Sequence, residues 1–220
     1  MPPRIALLHA MRASMAPIEA AFARAWPEAR LAQLLDDALP ADLERAGGVD
    51  AAMKRRFVAL TRTAVDAGAD AVLFTCSAFG RAIEAARDAV SVPVMKPNEA
   101  MVAAAVARGA PVALLATFAP TLDSMRPEFE AEAARQRCAL DLRTAHVAGA
   151  LAALRAGDAE RHDAAIAEAA ARLGGGGTVV ALAQFSMARA AERVRAATGG
   201  TVLTTPDTAV AELRRRLLAG

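Results

Sequence analysis

Tyrosine is absent from the 220-residue chain, tryptophan occurs once (Trp26), and aromatics make up 4% of the residues although 55% are hydrophobic. A core nearly without rings must be made of Ala, Val, Leu and Met, which suits an α-rich or α/β protein. Cysteine is scarce as well. Cys76 and Cys138 are too few for a disulfide framework or a zinc site, and His9, His146 and His162 show no ligand spacing. Nor is there an excess of one charge: 26 basic residues stand against 24 acidic ones, net +2, and only Arg214, Arg215 and Arg216 run together. The electrostatic footprint of a nucleic-acid binder is therefore missing. No apolar run reaches the roughly 18 to 20 residues of a membrane-spanning helix. The opening segment, Pro2-Pro3 and then Arg4 to His9, lacks the layout of an export signal and reads as a buried strand. These absences predict a soluble, cytoplasmic protein with free thiols and no nucleic-acid or membrane partner.

Short β-type runs alternate with longer helical ones. The runs are Ile5 to Leu8, Leu31 to Leu35, Ala71 to Thr75, Val92 to Met95, Val112 to Ala116, Ala139 to Leu142, Val179 to Ala183 and Val202 to Thr204. Between them lie stretches rich in Ala, Arg, Glu and Leu, among them Ala51 to Ala67, Arg81 to Ala89, Glu99 to Ala107, Thr121 to Arg135, Ala159 to Leu173 and Thr208 to Leu218. Strand alternating with helix predicts parallel sheets with crossover helices.

The sequence also matches itself. Ile5-Ala6-Leu7-Leu8 returns 107 residues later as Val112-Ala113-Leu114-Leu115. Cys76 with Arg81 and Glu84 returns after 108 residues as Gln184 with Arg189 and Glu192, and Pro97-Asn98-Glu99-Ala100 after 109 as Pro206-Asp207-Thr208-Ala209. Landmarks in one order at nearly constant offset predict two pseudo-symmetric Rossmann-like halves, each a parallel sheet flanked by helices, with a site in the cleft between them. The expected division is 1–97 plus 206–220 for the first half and 98–205 for the second, the last helix packing back on the first. Ligands of open parallel sheets bind beyond the carboxyl ends of the strands. The segments expected there are His9-Ala10-Met11-Arg12, Cys76-Ser77-Ala78-Phe79, Thr117-Phe118-Ala119-Pro120-Thr121 and Gln184-Phe185-Ser186.

Cys76 follows a strand and precedes a helix, a place where a helix dipole favours the thiolate and rapid alkylation. The competing reading is a buried thiol that only fills space. Cys138 is expected to begin a strand, at the opposite edge. Ser77, Thr117, Thr121 and Ser186 offer hydroxyls, each equally suited to capping a helix. His9 is either a second base or a hydrogen-bonded structural residue, and Lys96 either an anion binder or an anchor. Gly174 to Gly177 precedes a strand, unlike a nucleotide loop, and reads as a flexible connection. His162-Asp163 reads as solvated surface, and Met11, Met15, Phe185 and Met187 as core or as an apolar wall of the site.

The repeated halves, the Thr75-Cys76-Ser77-Ala78 loop, the Ala116-Thr117-Phe118-Ala119-Pro120-Thr121 segment and the mirroring Leu182-Ala183-Gln184-Phe185-Ser186-Met187 together resemble the aspartate/glutamate racemase superfamily over essentially the whole chain. That superfamily includes amino-acid and hydantoin racemases, maleate isomerases and arylmalonate decarboxylases, and works without cofactors. The resemblance implies that Cys76 is the catalytic cysteine of the first half. It further implies that Ser77 and Ala78 hold a substrate carboxylate, and that Thr117, Phe118 and Thr121 meet the substrate from the second half. The racemases carry a second cysteine where this chain has Gln184, and a carboxamide neither accepts nor delivers a proton at neutral pH. Single-thiol proton transfer at the carbon next to a carboxylate is the expected activity, racemase or decarboxylase in type, with His9, Met11, Phe185 and Ser186 completing the small-carboxylate site. A thiol-dependent isomerase or hydrolase and a carboxylate binder without catalysis are the alternatives, and a homodimer is compatible with the sequence.

Overall fold

The computed structural model describes residues 1–218. Contacts divide the chain into one unit of residues 1–97 with the segment from Ala209 onward and a second unit, Asn98–Thr208. Each is an α/β sandwich around its own four-stranded, wholly parallel sheet.

In chain order the first unit contains β1 (Arg4–His9), α1 (Met15–Ala25), β2 (Arg30–Leu35), α2 (Leu39–Ala46), α3 (Ala51–Asp66), β3 (Ala71–Phe74), α4 (Gly80–Arg87) and β4 (Val94–Met95). The sheet order is β2-β1-β3-β4, with Leu7 level with Gln33 on one side and Leu73 on the other. β1 and β3 are central strands, so they read as unbroken apolar runs buried on both faces. One face carries Ala6, Leu8, Val72 and Phe74 against α3 and α4, where the Phe57 ring stacks 5.0 Å from Phe74 and 5.1 Å from Phe79. Half of the chain's few aromatic rings are thus spent on one layer. Asp50 starts α3 by accepting the Met53 amide at 2.7 Å, satisfying a donor that the helix cannot.

The second unit repeats the plan with α5 (Glu99–Val106), β5 (Val112–Ala116), α6 (Ala119–Gln136), β6 (Leu142–His146), α7 (Ala150–Arg155), α8 (Ala159–Leu173), β7 (Val179–Leu182), α9 (Ala191–Thr198) and β8 (Val202–Thr204); α10 (Thr205–Leu218) begins here and continues in the first unit. The order β6-β5-β7-β8 is that of the first sheet. The repeat extends to single bonds: the Thr75 amide donates to the Leu8 carbonyl and the Ala183 amide to the Leu115 carbonyl, each at 3.0 Å. In α10, Arg214 donates to the Ala25 carbonyl within the first unit.

Two local expectations need correction. β6 starts at Leu142, not Ala139, because an edge strand alternates polar and apolar residues (Arg143, Thr144, Ala145, His146), whereas the apolar Cys138 to Leu140 is its lead-in. His162 is fully buried, not surface: it shares an α8 face with Ile166, Ala169 and Ala170, and Asp163 beside it pairs with Arg189. Gly174 is more than a flexible link, since a Cβ there would lie 2.9 Å from the Ala170 carbonyl oxygen that accepts its amide.

Candidate active site

In the first unit, Cys76 continues from β3 in extended backbone, and a three-residue turn, Ser77–Phe79, separates it from α4. Side chains alternate along that extended segment. Thr75 lies on the face of His9, and Cys76 on the face of Phe74, packed against the Phe57–Phe79 cluster. Leu8, Leu34, Leu39, Phe57 and Phe79 with Cys76 line a cavity of about 30 Å³. Burial pushes the Cys76 thiol up, and a bond from the Ala78 amide pulls it down by less. The expected thiolate is thus not the resting form. The turn keeps the sulfur off the end of a helix dipole, while its apolar neighbours disfavour charge. Cys76 keeps its proton at neutral pH.

On the other face, the imidazole of His9 is 2% exposed and both of its nitrogens are engaged. Nε2 lies 2.5 Å from the carboxamide oxygen of Gln33, whose amide nitrogen donates to Glu19 at 2.8 Å. A carboxamide oxygen only accepts, so the ring proton sits on Nε2 and Nδ1 is an acceptor. Nδ1 meets the hydroxyls of Thr75 at 2.9 Å and Ser14 at 3.0 Å, and Ser14 also reaches the Met11 carbonyl at 2.7 Å. With Thr75 donating to Nδ1, the Ser14 proton serves Met11. Burial holds the His9 pKa below its usual value, against the opposing pull of Gln33 and Glu19. His9 therefore ties the end of β1 to the residue before Cys76 and to the Met11 loop, and it is linked to Cys76 through the backbone alone.

Ser77 is half-buried and Ala78 exposed at the loop crest. Lys96, at the end of β4, is 16% exposed and paired with Glu84 at 2.5 Å. Asp36, after β2, is held by Arg56 at 2.6 Å, which also grips Asp42.

In the second unit Gln184 occupies the place of Cys76, with the same extended backbone at the same side of a short turn, Phe185–Ala190. Its side-chain oxygen accepts the Thr117 amide at 2.7 Å and the Thr117 hydroxyl at 2.8 Å. Two donors on one atom identify that atom as the oxygen. The Gln184 NH₂ is thereby turned away from Thr117, and it has no partner among the described residues. Thr121 is buried in the first turn of α6, its amide on the Phe118 carbonyl; Phe118 itself is exposed. Phe185 is buried, Ser186 half-buried, and Met187 belongs to the unit's core.

Each unit thus gathers its own candidates at the carboxyl edge of its sheet: His9, Met11 and the Cys76 loop in the first, Thr117, Phe118, Thr121 and Gln184 in the second. Cys138 lies ahead of β6, outside both groups, its thiol on the Gln136 carbonyl. Ser14, Gln33, Thr75 and Glu19 were not among the sequence candidates. Only Ser14 had a signal, being the counterpart of Thr121 at the 107-residue offset. Among the described residues no group of His, Cys, Asp and Glu is arranged to hold a metal ion, and no helix is long and apolar enough to cross a membrane.

The family model of the Asp/Glu/hydantoin racemases matches residues 14–213. Among solved structures, the allantoin racemase from Klebsiella pneumoniae is 21% identical at TM-score 0.68, covering 99% of this chain and 89% of that one. A glutamate racemase isoform from Bacillus anthracis gives 15% identity and TM-score 0.71, with 99% and 82% covered. An arylmalonate decarboxylase gives 17% and 0.60, with 99% and 93% covered. At such identities the likeness is one of fold. No curated protein matches the chain.

Proposed function

The chain belongs to the Asp/Glu/hydantoin racemase family, and on that premise we propose that it is a cofactor-independent enzyme moving a proton at the carbon next to a carboxylate, with Cys76 as its single acid/base. The observation that carries this reading is the unequal pair at one repeat position: a protonated, apolar-packed thiol at Cys76 and an oriented carboxamide at Gln184. A racemase of the symmetric kind needs an acid and a base on opposite faces of the α-carbon. Gln184 supplies neither. What its free NH₂ supplies is hydrogen bonds to a carboxylate whose charge grows as an enediolate forms, the role of an oxyanion hole.

The chemistry that uses one neutral thiol is decarboxylation of a malonate-type acid. The bond from the α-carbon to one carboxyl carbon breaks, CO₂ leaves, and its electron pair remains as an enediolate on the other carboxylate. Ser77, the Ala78 amide and Gln184 stabilise that charge. The Cys76 S–H then delivers its proton to the α-carbon, and the resulting thiolate regains one from water. The thiol's raised pKa supports this order of events, because the proton donor is ready before reaction. The elevated pKa also makes the thiolate a stronger base once formed.

The test is a panel of amino acids, hydantoins, maleate and substituted malonates followed by proton NMR in D₂O, for wild type and Cys76→Ser. A prochiral malonate should give one enantiomer, deuterated at the α-carbon, and the variant should give none. Turnover surviving Cys76→Ser overturns the reading, as does a panel in which nothing exchanges, isomerises or loses CO₂.

A further inference from the structure

Among the described residues, the large hydrophobic side chains that stand exposed are Met1, Met11, Phe118 and Leu218. Met1 and Leu218 lie at the ends of the described chain. Met11 and Phe118 are internal, 43% and 51% exposed, and they are repeat counterparts, 107 residues apart. Their loops have one design. Met11 is extended at φ −146° and Phe118 at φ −129°, each directly ahead of a helical turn. The Met11 carbonyl accepts the Ser14 amide at 3.2 Å and the Phe118 carbonyl accepts the Thr121 amide at 3.1 Å.

The residues between differ in kind, Arg12-Ala13 in one loop and Ala119-Pro120 in the other, so the shared property is not general likeness of the two segments. What both retain is a large flexible or aromatic apolar group held partly in water, next to the groups assigned above to the carboxylate. Met11 is tied to the His9 network through Ser14, and Phe118 follows Thr117, which orients Gln184. An apolar group so placed gains by covering apolar ligand surface, and it offers nothing to a small polar side group.

We propose that Met11 and Phe118 select carboxylic acids whose α-carbon bears a bulky apolar substituent, aryl or branched alkyl. The proposal rests on the reading of the Cys76 site given above. Small dicarboxylic amino acids are correspondingly poor ligands.

The experiment is calorimetric titration of the full chain with propanoate and with 2-phenylpropanoate, which differ only in the apolar group. Exchange of the α-proton of 2-phenylpropanoate in D₂O is followed by NMR in parallel. The phenyl acid should bind roughly tenfold or more tightly, the scale on which an apolar pocket discriminates. Phe118→Gln and Met11→Gln should each reduce that ratio at least about threefold, and the double variant should bring it to about one. Both side chains are exposed, so melting temperatures should stay within about 2 °C of wild type. Equal affinities in wild type overturn the proposal, and so does a ratio that survives the double variant. A wild-type dimer that the double variant splits, with no preference between the acids, overturns it in favour of a subunit interface. Exchange without preference removes the selectivity and leaves the Cys76 chemistry standing. Preference without exchange supports the selectivity and removes the proton transfer.

Discussion

Cys76 and Gln184 hold the same position in two copies of one fold, yet their surroundings differ as much as they do. Around Cys76 the neighbours are Leu8, Phe57, Phe74 and Phe79, and the residue at the place of Thr117 is Ala10, which has no hydroxyl to offer. Around Gln184 the decisive neighbour is Thr117, giving two hydrogen bonds to one oxygen. An apolar setting keeps a thiol neutral and ready to give a proton, whereas a polar setting fixes which end of a carboxamide points outward. The two halves have thus diverged by environment as well as by residue, one toward proton delivery and the other toward charge stabilisation.

Removing the thiol breaks the comparison most severely. Cys76→Ser leaves a hydroxyl that neither titrates near neutral pH nor donates as readily, and turnover should fall by about 10³-fold or more, while carboxylate binding changes little. Steady-state rates beside calorimetric affinities read the two separately.

Next in size is Gln184→Glu, which tests the amide's orientation. One carboxylate oxygen can still accept both Thr117 bonds, so stability should hold. The other oxygen replaces the outward NH₂ with a negative charge facing the substrate carboxylate. Affinity for small carboxylates should drop about 10- to 100-fold, on the scale of a lost charged-group hydrogen bond. An unchanged affinity would mean that the carboxamide does not meet the ligand.

The first unit's polar relay sets a third contrast, since nothing in the second matches it: Ala116 stands where His9 stands in the first. His9→Ala strands the buried hydroxyls of Thr75 and Ser14 and should cost about 1–3 kcal/mol in urea unfolding at pH 7. The pH dependence has a definite sign. The folded-state pKa of His9 is depressed, so an unfolded chain takes up this proton first as pH falls. Its contribution to stability is whole above about pH 6.5 and declines below it. The variant should lack that part of the slope, and Cys76 alkylation should quicken as the loop loosens.

The sheets and the repeat were legible because central parallel strands are continuous apolar runs and because landmarks such as Cys76, Pro97 and their partners keep their order. β6 was misplaced since its alternation lies in polar residues, Arg143 to His146, and α7 is too short, six residues, to show a helical period. Cys76 and Gln184 were visible from position, but the thiol's protonation was not. It depends on a turn between Cys76 and α4 and on Phe57, nineteen residues away in sequence. The Glu19–Gln33–His9–Thr75 chain joins residues up to 66 apart, a juxtaposition that only the sheet register creates. His162 was misread although Ile166 and Ala169, on its own face, carried the signal.

The smallest expected effect lies in the helices that close each repeat. α5 is apolar along most of its length, burying Met101, Val102, Ala105 and Val106, while α10 is two-faced, with Val210 and Leu213 inward. On the outer face Glu212 accepts Arg215 at 2.7 and 2.8 Å and Arg216 at 2.7 Å, and these guanidinium bonds pull its pKa down to about 2. Taken at face value such a shift is worth several kcal/mol, but the pairs lie at the surface, where solvent and salt screen them and side-chain ordering opposes them. Glu212→Gln should therefore cost only about 0.5–1 kcal/mol at pH 7, well below the roughly 2–5 kcal/mol of Leu213→Ala on the inner face of the same helix. Because the folded pKa is the lower one, the contribution is present above about pH 4.5 and is lost as pH falls toward 2. Urea unfolding of both variants at pH 7 and pH 3.5, with and without 0.5 M salt, checks the order. A Glu212→Gln cost matching that of Leu213→Ala, or one insensitive to salt and acid, would show that the charged face of α10 holds the helix as firmly as its apolar face does.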